Sequence, residues 1–398
     1  METHLRKAFK GGKTAKYDDI EVQLDINKLK ESLPHWPTGV WAIDYLIGGR
    51  PNTQGVLPCP GIPKGKVIQL YGLESTGKST MALTWAASVI RNGGSVCYID
   101  CEHEINHHHM TTLGVDISNP DRFRLLQPET LEEALAISWV AVTAGVDLVI
   151  FDSVGGVTSK SEQEKNSDME AAAKVGDLAK KWAEKLPAIH NRCARTGSIF
   201  VGLSQMRMNI GVMGHGDKYT VQGGLSWKFW PALRIRLTSM FKDKGKVYSS
   251  FTNSSEDKVV GVSVKAKLDK CKISGEAQSE VIYYFRFNKG IDNLRTIADV
   301  AIAHKVIKKS GAWIFWSLPD GTEVKHQGME NFLSFLEERP DLIKALENQV
   351  LPKLFSSKME EDDEDDTSYD AVDTGEEGED EIDLEGELAN ILGDSDSE

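Results

Sequence analysis

Gly72-Leu73-Glu74-Ser75-Thr76-Gly77-Lys78-Ser79 is a full match to G-x-x-x-x-G-K-[ST]. Such a loop folds its backbone tightly enough for successive N–H groups to point at phosphate oxygens, and a helix N-terminus adds its positive end. Lys78 would reach the β- and γ-phosphates and the Ser79 hydroxyl would coordinate Mg²⁺. Composition predicts roughly 0.03 chance matches in a chain of this make-up, so the pattern carries weight. Two further acids follow apolar runs. Val149-Ile150-Phe151-Asp152-Ser153 offers Asp152 as a second ligand of the magnesium ion or its water; capping a turn is its plainer use. Glu102, just past Ile99-Asp100, stands where a carboxylate could orient or deprotonate water.

A loop of this kind works only between a strand and a helix. Lys66–Tyr71, Ser95–Asp100, Val146–Asp152 and Ser198–Ser204 read as buried strands, and Ser79–Arg91 and Thr130–Thr143 as helices. The second helix opens on a capping-box pattern, and the first stops at Asn92-Gly93-Gly94. Strands alternating with helices predict an α/β fold with a mostly parallel central sheet. Ala232–Leu237, Val259–Lys267 and Val281–Phe287 follow with little helix between them, as antiparallel strands completing that sheet. After Gly290 the texture changes: a helix over Asn293–Lys309, a strand over Ala312–Trp316 and a helical stretch from Met329 to Leu351 predict a small α/β domain. Asp19-Ile20-Glu21-Val22-Gln23-Leu24 alternates like a half-buried strand, either a flap on the same molecule or an arm that adds to another subunit's sheet. The domain reading is an arm over 1–35, an ATPase core over 36–290, a small domain over 291–355 and an acidic, disordered tail over 356–398.

The chain has 398 residues and a formal charge of −14. Glu360–Glu398 holds 20 acids and no Lys or Arg, so residues 1–359 carry +6. A mildly basic body suits nucleic acid. Five scattered cysteines, with no Cys-x-x-Cys, argue against a disulfide scaffold and for a reducing compartment. No signal-like start or membrane-length apolar run is present, so secreted and membrane classes are set aside.

Taken in order, these pieces resemble the RecA-type DNA recombinases. Tyr71–Thr80 is similar to the family's phosphate loop, Tyr98-Ile99-Asp100-Cys101-Glu102-His103 to the strand bearing its catalytic glutamate, and Asp152-Ser153-Val154 to its magnesium-side strand. Ser204-Gln205-Met206-Arg207-Met208-Asn209-Ile210-Gly211-Val212-Met213 resembles the opening of the second DNA-binding loop, which Gly223-Gly224 closes. Residues 36–340 are covered. The resemblance implies a RecA-like P-loop NTPase core with an N-terminal oligomerisation arm, forming a helical filament on single-stranded DNA with ATP and Mg²⁺ between subunits. It implies homologous pairing with double-stranded DNA, contacts with single-strand-binding and loader proteins, no membrane, and a bacterial or host cytoplasm. By the same resemblance Gln205 senses the γ-phosphate, Lys270 and Lys272 reach the neighbour's ATP, and Phe229 is a subunit contact. Met169, Lys174, Lys181, Arg207, Met208, Asn209, Ile210, Gly211, Val212, Met213, Gly223 and Gly224 serve DNA. The acidic tail is expected to compete with DNA for the body.

Each role has a plainer counterpart. Lys174 and Lys181 make a solvated stripe, Met206 to Met213 make core, Lys270 and Lys272 guard a sheet edge, and the tail aids solubility. Asn106 and His109 stand where the family often has an adenine-contacting acid and aromatic. The first loop, Thr158 to Met169, is short, and Arg50–Pro60 reads as an insertion. Such departures mark a divergent member, a phage gene being one source. His103-Glu104-Ile105-Asn106-His107 is formally H-E-x-x-H, but it follows a strand and lacks a third ligand, so zinc-protease chemistry is set aside. The competing functions are a RecA-core helicase and an ATP-binding DNA coat with little hydrolysis.

Overall fold

β-branched and aromatic runs become strands and Ala/Leu-rich amphipathic runs become helices in the computed structural model, which describes residues 32–49, 58–159, 176–208, 219–249, 254–273, 280–287 and 289–355. The arm strand at 19–24, residues 50–57 of the expected insertion, most of the first loop with Met169 and Lys174, the segment Asn209, Ile210, Gly211, Val212 and Met213, and the tail lie outside the described residues. In chain order the elements are β1 (His35–Trp36), α1 (Trp41–Gly48), β2 (Ile62–Pro63), β3 (Val67–Gly72), α2 (Lys78–Arg91), β4 (Val96–Asp100), α3 (His107–Thr112) and β5 (Phe123–Leu126). Then come α4 (Leu131–Thr143), β6 (Leu148–Asp152), α5 (Asp177–Thr196), β7 (Ile199–Met208), β8 (Tyr219–Val221), α6 (Ser226–Phe229), β9 (Leu233–Ser249), β10 (Ser254–Cys271), β11 (Glu280–Arg286) and β12 (Gly290–Asp292). The chain continues through α7 (Asn293–Ala303), β13 (Ile307–Ser310), β14 (Trp313–Ser317), β15 (Glu323–Gln327), α8 (Met329–Glu337) and α9 (Pro340–Phe355).

The main sheet runs β12-β11-β10-β9-β3-β7-β6-β4-β5, with β8 added beside β7. The pairings from β9 through β3, β7, β6 and β4 to β5 are parallel. Those joining β9, β10, β11 and β12 are antiparallel. Both faces are covered, as a parallel sheet requires. On one face Ile68, Leu70, Val201 and Leu203 pack with Met81 and Trp85 of α2. On the other, Val67, Phe151 and Phe200 pack with Trp182 of α5 and Trp227 of α6. Trp182 and Trp227 meet edge-on at 5.0 Å. Burying each such ring stabilises the fold by about 2–3 kcal/mol.

Helix caps follow local chemistry. At the start of α4 the Thr130 hydroxyl accepts from the Glu133 N–H at 3.3 Å, and the Glu133 carboxylate accepts from the Glu129 N–H at 3.1 Å. The single helix expected over Asn293–Lys309 stops at Ala303, where the apolar periodicity gives way to β13, and Lys305 sits at φ 56° in the turn between them. The stretch expected as one helix from Met329 is two, because Pro340 starts a new one. α7, α8, α9 and the β13-β14-β15 sheet enclose a core of their own, with Ile297, Trp316, Phe332 and Leu336 at its centre. Asn293 ties it to the first helix, accepting from the Trp41 N–H at 3.0 Å and donating to the Gly39 carbonyl at 2.9 Å.

Candidate nucleotide site

Strand β3 ends at Gly72 and α2 begins at Lys78, so the matched loop bridges them. A Cβ on Gly72 would lie 2.4 Å from the Leu237 carbonyl oxygen, which explains glycine where β9 crowds the loop. Gly77 sits at φ 85° and Ser75 at φ 59°, the left-handed backbone that tightens the turn. Thr76 Oγ1 donates to the Leu73 carbonyl at 2.8 Å and closes the loop on itself. The Lys78 ammonium donates to the same carbonyl at 2.8 Å and to Gly72 O at 3.4 Å, so it lies across the cradle. Burial pushes the Lys78 pKa down, while Asp152, Glu102 and Glu74 support its charge. A half-buried ammonium held by carbonyl oxygens can exchange them for phosphate. Leu73, Glu74 and Ser75 are the exposed rim of the loop.

Asp152 ends β6, and its carboxylate accepts from the Tyr98 hydroxyl at 2.5 Å. Burial pushes its pKa up to about 6 against the lowering hydrogen bonds from Tyr98 and Ser79. Asp152 and Ser79 therefore share one oxygen-rich corner at the cradle's foot, a donor set that fits a magnesium ion sharing phosphate oxygens. Among the described residues no cluster of three or more His, Cys, Asp or Glu could hold a metal by itself. The H-E-x-x-H run does not form the required helix turn: His103 lies at φ 57° and α3 begins only at His107.

Glu102 follows β4, and its Oε1 accepts from the Ser153 hydroxyl and from Gln205 Nε2, the latter at 3.2 Å. The loop carrying it is anchored by Asp100, which accepts from the Ile105 N–H at 3.3 Å and from Gln127 Nε2 at 2.9 Å. The Asp152–Ser153 peptide is cis, and the following Gly156 has no room for a side chain, since a Cβ would come 2.8 Å from Glu102 Cγ. Gln205 lies on β7 directly opposite Gly72. Two residues on, Arg207 donates to Gln222 through Nε at 2.6 Å and Nη2 at 2.7 Å once the Gln222 amide oxygen is turned toward it. Gln222 in turn fills the space over Gly155. The structure thus brings Lys78, Ser79, Asp152, Glu102 and Gln205 to one end of the parallel strands. Tyr98, Asp100, Ser153 and Gln222 join them. Sequence reading quoted Tyr98, Asp100 and Ser153 within the motif runs without giving them a role and passed over Gln222; only their places beside Glu102, Asp152 and the closing glycines pointed to them.

Other expected residues have local duties. Asn106 caps α3, accepting from the His109 N–H at 2.8 Å, and burial lowers the His109 pKa. Lys181 is ion-paired to Glu132 at 2.9 Å and to Asp177 at 3.7 Å. Gly223 and Gly224, at φ 105° and 78°, are backed by Trp227 and Ala179. Met208 ends β7, at the brink of the segment outside the described residues. Lys270 donates to the Lys228 and Phe229 carbonyls, both at 2.7 Å, and Lys272 to Phe229 O at 3.3 Å. Phe229 itself is 64% exposed.

No helix among the described residues is long and apolar enough to cross a membrane. The family model described as the RecA N-terminal domain matches residues 22–292, and that of the RecA C-terminal domain matches residues 295–354. The chain is 31% identical over 354 residues to Protein RecA of Azoarcus sp. (strain BH72), covering 87% of this chain and 90% of that one. It is 30% identical over 323 residues to Protein RecA of Acinetobacter baylyi, covering 81% and 86%, and 31% identical over 315 residues to Protein RecA of Geobacter metallireducens, covering 79% and 84%. With a phosphate loop after β3, Asp152 at the end of β6, Glu102 just past β4 and both family models matched in sequence, the chain belongs to the RecA family.

Proposed function

We propose that this protein is an ATP-dependent recombinase that forms a helical filament on single-stranded DNA and carries out homologous pairing and strand exchange. A RecA-family role in recombination and ATP hydrolysis goes with membership; the filament, the strand exchange and the residue roles are our reading. The observation that carries it is Gln205. Its amide is hydrogen-bonded to Glu102 at the nucleotide site, and its own strand leads on into the stretch that opens at Ser204–Met213 and closes at Gly223-Gly224, read as the DNA loop.

The residues can be given roles. The Lys78 ammonium leaves the loop carbonyls for the β/γ-phosphate oxygens. Asp152 and Ser79 would hold Mg²⁺, which neutralises charge developing on those oxygens. Glu102 orients the attacking water and takes its proton. Gln205 exchanges its hydrogen bond to Glu102 for one to the γ-phosphate, which resets the end of β7 and orders the DNA loop; hydrolysis reverses this. Arg207 and the backbone around Gly223 and Gly224 take DNA phosphates, and Ile210 and Met213 wedge between bases. Lys270 and Lys272 reach across to the next subunit's ATP and stabilise charge there. Asn106 and His109 line the base end.

The test is ATP hydrolysis with and without single-stranded DNA, alongside strand exchange between circular single-stranded and linear duplex DNA. We expect DNA-stimulated hydrolysis and joint-molecule products, with filaments on a slowly hydrolysed analogue. Filaments without stimulated turnover would mean a DNA coat, and closed rings with unwinding would mean a helicase; either replaces the recombinase reading.

A further inference from the structure

Lys270 of β10 stands directly opposite Arg234 of β9 in the sheet register. Like charges facing each other across strands destabilise a sheet, so this pair needs a reason. Its neighbours show how such charge is normally handled: Arg236 Nε lies 3.4 Å from the Asp269 carboxylate, which also accepts from the Tyr71 hydroxyl. Arg234 is treated otherwise. Its Nε donates to the neutral amide oxygen of Gln69 at 2.8 Å, and its guanidinium lies over the Tyr71 ring at 4.8 Å. Gln69 is fully buried and is itself pinned by donating to the Ser204 hydroxyl at 2.9 Å. Among the described residues Lys270 and Lys272, as described above, donate to backbone carbonyls. Among the described residues no carboxylate pairs with Arg234, Lys270 or Lys272. Three cations are therefore gathered and held by neutral acceptors, which keeps their field outward instead of cancelling it.

Resting on the reading that ATP is bound between subunits, we propose that Arg234 is a positioning residue for hydrolysis in the neighbouring subunit. It acts in trans through Lys270. Fixed by Gln69 and Tyr71, its charge repels the Lys270 ammonium off the sheet surface and onto the rim formed by the carbonyls of Lys228 and Phe229. The ammonium is thereby poised toward the partner's triphosphate, and Arg234 adds its own field behind it. Burial, with Lys272 and Arg234 beside it, lowers the Lys270 pKa to about 8, in keeping with an ammonium that gains from an arriving anion.

The experiment uses full-length variants and mixed filaments on single-stranded DNA. Arg234→Met is expected to lower DNA-stimulated kcat about tenfold, with KM for ATP and the nucleotide affinity of the DNA-free protein within twofold of wild type. Arg234→Lys, which keeps the charge, should stay within threefold. Arg234→Gln, which keeps a hydrogen-bond donor for Gln69 but no charge, should fall with Met; a Gln variant as active as wild type would overturn the electrostatic role. Equimolar mixing then assigns the side of the interface. Glu102→Gln mixed with Lys270→Ala should recover about a quarter of wild-type activity, from junctions that receive both intact halves of a head-to-tail site. Arg234→Met should recover activity with Glu102→Gln and not with Lys270→Ala. The reverse pattern would place Arg234 in its own subunit's site through Gln69 and Ser204, and recovery with neither would make it merely structural; both overturn the proposal. Failure of the Glu102/Lys270 control alone would sink the shared-site reading itself.

Discussion

Glu102→Gln isolates the base from the scaffold around it. In the wild type Oε1 accepts from both Ser153 and Gln205, and the side chain packs over Gly156. A glutamine keeps that oxygen and that shape, so both hydrogen bonds survive and stability should change by less than about 0.5 kcal/mol. What is lost is the carboxylate. Its repulsion of Asp152 disappears, and Lys78 loses one of the three carboxylates that support its charge. These effects offset each other at the cradle, so nucleotide affinity should stay within about threefold. The water loses its proton acceptor, which is worth about 10²- to 10⁴-fold in rate, or about 3–5 kcal/mol of barrier at 1.36 kcal/mol per decade. Single-turnover hydrolysis on single-stranded DNA measures the rate, and equilibrium binding of a fluorescent nucleotide measures the affinity. Glu102→Ala serves as contrast: it strands both donors and opens a gap, so it should also cost about 1–2 kcal/mol of stability. Turnover within fivefold of wild type at unchanged affinity would refute the assignment of Glu102 to the water.

Gly202→Ala would place a methyl 2.1 Å from the Trp227 ring. That ring is fixed between Trp182 and Phe200, so thermal and denaturant unfolding should show a loss of about 2–3 kcal/mol, and α6 with Phe229 should shift. Tyr98→Phe removes the phenolic donor to buried Asp152; a loss of about 1–2 kcal/mol is expected, with a several-fold higher Mg²⁺ requirement in nucleotide binding. Asp44, in α1, accepts from the Thr38 N–H at 2.8 Å, and burial raises its pKa to about 7. A raised folded pKa means stability is fullest below the unfolded value of 3.8 and is lost as pH rises to about 7. Asp44→Asn keeps an acceptor without the charge, so its stability relative to wild type should climb across that window and level off above it, by about 4 kcal/mol at 1.36 kcal/mol per pKa unit, in chemical denaturation at stepped pH.

Much of the site was legible because its motif binds through backbone geometry. Gly72, Gly77, Lys78 and Ser79 need only each other, a strand before them and a helix after them, and local sequence supplies all three. The same holds for the α4 cap and for the buried apolar strands. Asn106 shows the limit: its resemblance position suggested a base contact, yet its short side chain also caps the helix that starts beside it. Lys181 shows another, since spacing alone does not reveal that Glu132 of a different helix takes its charge.

The sequence by itself determined the kind of protein this is: a phosphate loop between strand and helix, flanked by acids that end apolar strands, with a small domain after the core. Only the tertiary structure decided which groups meet. Ser153 and Gln205, 51 and 103 positions from Glu102, converge on one of its oxygens, and Gln69 reaches Ser204 across 135 positions. Those pairings come from strand order, because a parallel sheet sets β6 between β4 and β7, and β3 beside β7, and aligns their ends. The order in turn depends on long-range burial, which minimises exposed apolar surface over the whole sheet and leaves no periodic trace in any one segment.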